Sequence, residues 1–109
     1  MMHETIAKAM EDRNADVFAD LLHPDHEFVR HQSGTSLNKE QTVALMRQFM
    51  ASEAVQEHSR RCIYENEDIL VVHSVMSFAD GTSESVIAAY TKKDGQIIRT
   101  ETGATPIKR

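Results

Sequence analysis

Two periods of apolar spacing divide the chain, a helical one in the first half and an alternating one in the second. Met2, Ile6, Ala9 and Met10 follow three-to-four spacing and predict a first helix. Val17, Phe18, Leu21 and Leu22 repeat that spacing after the polar break "EDRNAD", and Pro24 stops this second helix. A third helix begins behind Asn38, whose side chain is suited to cap free amides, with Gln41 three residues on completing a capping box. Val43, Leu45, Met46, Phe49 and Met50 give it a broad apolar face. Between the second and third helices, "DHEFVRHQSG" reads as one short strand, with His26, Glu27, Arg30 and His31 around only Phe28 and Val29.

The remaining segments, "VQEHSRRCIY", "ILVVHSVMSF", "SESVIAAYTK" and "QIIRTETGATPI", are rich in Val, Ile, Thr and Tyr and read as an antiparallel meander. Asp80-Gly81 and Asp94-Gly95 are two-residue hairpin signals. Three helices before a meander, with a strand threaded among them, make the class α+β. Two-residue turns would pair Phe78 with Ser83 and Thr91 with Ile98, which fixes both faces of the sheet. One face then carries Leu70, Val72, Ser74, Met76, Phe78, Ile87, Ala89, Ile98, Thr100 and Thr102. Apolar with small hydroxyls, it suits a ligand-lined or helix-covered surface. The other face, with His73, Tyr90, Arg99 and Glu101 among aliphatics, reads as a homodimer contact, the alternative being a solvated face with a few apolar residues.

Composition narrows the function. A chain of 109 residues with 40% hydrophobic and 27% charged content predicts one globular domain over 1–109. A net charge of −5 without a basic face argues against nucleic acid as a partner. The most apolar run, "ILVV", is too short to span a bilayer, and "MMHETIAKAMED" lacks the apolar core of a signal peptide. The single cysteine, Cys62, excludes an internal disulfide and suits the cytoplasm. His23 and His26 flank Asp25 without a recognised ligand spacing, so no metal and no cofactor is expected.

Helices, a strand, a helix and then a meander is also the order of the NTF2-like cone. "LLHPDHEFVRHQSG", "KEQTVALMRQFMAS" and "DGQIIRTETGATP" resemble that superfamily's first strand, third helix and closing strand. The nearest subgroup is the SnoaL-like small proteins. The resemblance implies three helices packed in the concave face of a curved, mainly antiparallel sheet. It also implies a small-molecule pocket inside the cone and dimers through the outer face. Ketosteroid isomerases of the superfamily carry a catalytic Asp in a first-strand phrase like "DDATVEDPVG". Overlaid on "DHEFVRHQSG", that Asp falls on His31, and Val29 and Phe49 fall on pocket positions. The family's tyrosine falls near Ile6 or Ala7 and its second Asp near Ile87, so the oxyanion-stabilising pair is missing.

His31 is therefore the candidate general acid or base, oriented by Glu27, or else a polar strand residue. Val29, Phe49, Arg61, Val72, Ser74, Met76, Ile87, Ala89, Thr100 and Thr102 are the candidate pocket residues, Arg61 at the rim as an anion donor or a snorkelling side chain. The expected ligand is small and apolar or weakly anionic. One reading is a cofactor-independent isomerase, cyclase or dehydratase. The second is a dimeric binding module without chemistry. The third is a protein-interaction domain whose cone is plugged by Phe28, Phe49, Met76 and Phe78.

Overall fold

A computed structural model describes residues 1–108. Helices α1 (Met2–Glu11) and α2 (Ala15–Asp20) precede strands β1 (Leu22–Arg30) and β2 (Thr35–Asn38). Helix α3 (Lys39–Ala51) follows, then β3 (Gln56–Glu65), β4 (Ile69–Ser77), β5 (Ser83–Lys93) and β6 (Gln96–Pro106). All six strands share one curved sheet in the order β2-β1-β6-β5-β4-β3. Every neighbouring pair is antiparallel except β1 with β6. This is the α+β cone, with the helices on its concave face.

Local chemistry explains most boundaries. The Asn38 side chain accepts from the Gln41 amide and Gln41 returns a bond to the Asn38 amide, so the capping box opens α3. Asn14 caps α2 through the Asp16 and Val17 amides. Helix α1 has no side-chain cap of its own; Glu65 on β3 accepts from the Met2 and His3 amides at 3.0 and 3.3 Å. The core lies where Ile6, Leu22, Leu70, Val72 and Ile97 are withdrawn from water between α1 and the sheet.

Three sequence expectations change. The second helix ends at Asp20, and Leu22 instead opens β1. Pro24 is accommodated because the β1–β6 register breaks between Leu22 and Glu27, where no ladder bond is demanded of it. The single short strand is a hairpin, β1 with β2, closed by Gly34 at φ 69.

The third change is register. Asp94 and Gly95 both have positive φ and close the two-residue turn expected of them. Asp80-Gly81 does not. There the Gly81 amide bonds Phe78 O, the Phe78 amide bonds Thr82 O, and Gly81 sits at φ 84, making a three-residue loop. Ser77 pairs with Ser83, one step from the expected partner, so Val86, Ala88 and Tyr90 face inward and Ile87 and Ala89 outward. A bulge at Ile98 then lets Ile97, Thr100 and Thr102 all point inward.

Candidate functional site

A cavity of about 160 Å³ lies within the cone beneath α1 and α3. Phe28, Met46, Val72, Val86 and Ala88 make its wall mostly apolar, and Ser74, Thr100 and Thr102 add hydroxyls. Met10, Phe49, Glu57 and Arg60 line both this cavity and an outer cleft of about 360 Å³ between α1, the end of α3 and β3. Arg13 fixes the cleft's far wall by donating to the Met50, Ser52 and Val55 carbonyls at 3.2, 2.8 and 2.9 Å. Those bonds satisfy carbonyls that the end of α3 leaves open.

Arg60 is the polar centre of the site. Its side chain is 12% exposed and Glu57's 14%, and Arg60 Nη1 donates to Glu57 Oε2 at 2.9 Å. A strand's alternation would put Glu57 and Arg60 on opposite faces. An extra residue in β3 between His58 and Arg61, with Ser59 at φ 54, turns Arg60 to the same side as Glu57. Burial works against the guanidinium charge, but the neighbouring Tyr90 hydroxyl and Glu57 carboxylate outweigh it and hold Arg60 above its usual value. Arg60 Nε and Nη2 are buried with no hydrogen-bond partner among the described residues.

A second polar pair backs the cavity. His26 Nε2 lies 2.8 Å from Thr100 Oγ1, and His26 Nδ1 is buried without a partner. Burial, helped by the Lys39 charge, pushes His26 down to about 4, so the ring is neutral at pH 7. The tautomer with its proton on Nε2 leaves only a lone pair unpaired, not an N–H, and is assigned on that ground. His26 then donates to Thr100, leaving the Thr100 hydroxyl hydrogen free for a molecule in the cavity.

A family model described as the SnoaL-like domain matches residues 3–100. The chain belongs to the SnoaL-like family. Among solved structures, an NTF2-like protein from Mesorhizobium loti superposes on this SnoaL-like domain with a TM-score of 0.84 at 11% identity, covering 94% of this chain and 87% of that one. A candidate ketosteroid isomerase from Kribbella flavida gives a TM-score of 0.81 at 13% identity, covering 98% and 77%. A Catenulispora acidiphila protein with a ketosteroid isomerase-like fold, solved with trimethylamine, gives 0.71 at 17%, covering 92% and 82%. No curated protein matches the chain. At these identities the structural likenesses speak for the fold.

Within this SnoaL-like domain, Phe49, Val72, Ser74, Met76, Thr100 and Thr102 lie in the cavity wall. Val29, Arg61, Ile87 and Ala89 do not. Phe28 pairs with Thr100 and takes the inward direction, which sends Val29 out. Ile87 and Ala89 leave with the three-residue loop, and Arg61 with the β3 bulge. His31 also points away from the cavity: its side chain is 59% exposed and Nε2 donates to Glu101 Oε1 at 3.1 Å. That bond, followed by one from Arg99, holds the Glu101 carboxyl below the usual carboxylate range. Glu27 faces the same side and accepts from Arg99 at 2.6 Å, not from His31. Tyr90, expected on the outer face, is inside; His73, Arg99 and Glu101 are outside as the alternation placed them.

The residues that sequence reasoning missed are Glu57, Arg60, Tyr90 and His26. One signal was present: in a regular strand the two arginines of "RR" face opposite sides, so one of them is expected inside in either register.

Proposed function

We propose that this SnoaL-like domain binds a small, mostly apolar molecule inside its cone. The observation that carries the reading is the 160 Å³ cavity with apolar walls and convergent hydroxyls. A protein cavity of roughly 150 Å³ lined by Leu, Ile and Phe takes up benzene, so a single six-membered ring is the right size. The open volume also counts against a cone plugged by its own side chains, although Phe28, Phe49 and Met76 all contribute to the wall. Toluene titrated into labelled protein should shift the amide and methyl signals of Val72, Val86 and Ala88. Absence of shifts at millimolar toluene would reject the reading.

We further infer a homodimer through the outer sheet face. Ile87, 48% exposed at the centre of β5, supports it, with Val71, Val75 and Ala89 around it and the Glu27–Arg99–Glu101–His31 chain at one margin. A cytoplasmic setting fits the free, exposed Cys62.

One observation favours an enzymatic second reading: Glu57 places a carboxylate in the cavity wall beside a cation. Glu57 would take a proton from carbon next to a carbonyl, and Arg60 would stabilise the resulting enolate oxygen. That step needs no cofactor and suits an isomerase, cyclase or dehydratase. Cyclohexanone in D2O tests it: the wild type should accelerate exchange of the α-hydrogens and Glu57→Gln should not. Equal rates with and without protein would remove the catalytic reading and leave the binding one intact.

A further inference from the structure

We propose that the ligand is a monocarboxylate whose carboxyl group docks on the free edge of Arg60, with an apolar body about one ring in size. The proposal rests on the cavity-binding reading above. Its starting point is which nitrogens of Arg60 are unpartnered. Nη1 is taken by Glu57 at 2.9 Å, while Nε and Nη2 are both buried and unpaired. Those two nitrogens share one side of the planar guanidinium, and their N–H bonds run nearly parallel. Two parallel donors match two oxygens on one carbon, the bidentate geometry of a carboxylate. A lone carbonyl oxygen meets both only by bending each bond.

Position agrees with geometry. Arg60 lines both the inner cavity and the outer cleft, so a carboxylate on its edge sits where the two meet. The ring would then extend inward among Val72, Val86 and Ala88, and the charged end would lie toward the outer cleft. The Tyr90 hydroxyl oxygen interacts with the guanidinium without closing a hydrogen bond to Nε or Nη2, and its O–H can donate to the same carboxylate. Glu57 faces this point and Glu11 lines the cleft beside it, and both charges oppose a second anion. Arg60 bridges Glu57 and the bound carboxylate, and the cation of Arg13 lines the same cleft with its hydrogen bonds spent on neutral carbonyls. Leaving two buried charged N–H groups unmet is costly, and a bound carboxylate removes that defect.

The test compares benzoate, its neutral counterpart benzamide, and toluene by calorimetry and by NMR on the intact wild-type protein at pH 7. Benzoate should bind at least tenfold more tightly than benzamide, with toluene also entering the cavity. Arg60→Lys keeps the charge but loses the fork, and should cut the benzoate preference over benzamide below threefold. If toluene and benzamide bind and benzoate is no tighter, the carboxylate proposal falls and the cavity reading stands. If none of the three binds, the cavity reading falls and takes the carboxylate with it. A folded Arg60→Lys variant with its benzoate preference intact would overturn the assignment to Arg60. Should that variant fail to fold, the wild-type ratio alone decides.

Discussion

Glu65→Ala removes the carboxylate that ties the N-terminus of α1 to the sheet. Glu65 and Lys92 are 6% and 8% exposed, and Lys92 Nζ donates to Glu65 Oε2 at 2.6 Å. The same carboxylate accepts from the Met2 and His3 amides, doing the work of a helix cap from 62 residues away. Truncation therefore strands a buried ammonium, which keeps only the Asn66 carbonyl at 2.7 Å, and two helix amides. Breaking a buried pair in this way costs about 3–5 kcal/mol. Against a total stability of about 5–15 kcal/mol that is a large share, and for a domain of this size it lowers Tm by roughly 10–20 °C. Urea denaturation followed by circular dichroism measures it. The double variant Glu65→Leu, Lys92→Met should recover much of the loss, because it leaves no lone buried charge. Acid should reproduce the effect. Burial pushes the Glu65 carboxyl up, but the bonds from Lys92, His3 and Met2 outweigh it and hold it below 4.5. Its contribution is thus complete above the unfolded value and lost as pH falls from about 4.5 through the folded one. A Glu65→Ala cost below about 1 kcal/mol would refute the argument by placing the pair among solvated surface contacts.

His26 acts in a different pH window. With its value lowered from 6.5 to about 4, the neutral ring stabilises the fold fully above pH 6.5, and about 3 kcal/mol is lost as pH falls to about 4. NMR titration should find this imidazole ionising near 4, and His26→Leu should flatten the stability slope between pH 6.5 and 4. His31→Ala should change stability by less than about 1 kcal/mol and leave benzoate binding unaltered, since the pair with Glu101 is exposed; weakened binding would return His31 to the site. Ile87→Asp should convert a dimer to a monomer in sedimentation velocity, and a monomeric wild type would refute the outer-face contact.

The sequence and the fold part company at particular residues. The capping box of Asn38 and Gln41 and the Asp94-Gly95 turn act through neighbours in the chain, so both were legible in advance. The cone's element order was legible too, because hydrophobic period separates helices from strands. Register was not. Gly81 takes positive φ in either a two- or a three-residue loop, and only cross-strand packing decides which. Each one-residue displacement exchanges the faces of a strand. The loop after β4 swapped Ile87 and Ala89 for Val86, Ala88 and Tyr90, and the bulge at Ser59 swapped Arg61 for Arg60. Polarity also misled in "DHEFVRHQSG". The histidine with the more functional appearance, His31, is the solvated one, while His26 is buried against Thr100. Burial of that ring depends on β6 lying alongside β1, a pairing between residues more than seventy positions apart.

Intermolecular NOEs from the ring protons of bound benzoate test the central claim most directly, because they locate the ligand on the molecule. The cone account requires contacts to the methyl groups of Val72, Val86 and Ala88, with chemical-shift changes at the Arg60 Nε–H. NOEs confined to Ile87 and the His31 margin of the outer sheet face would contradict it.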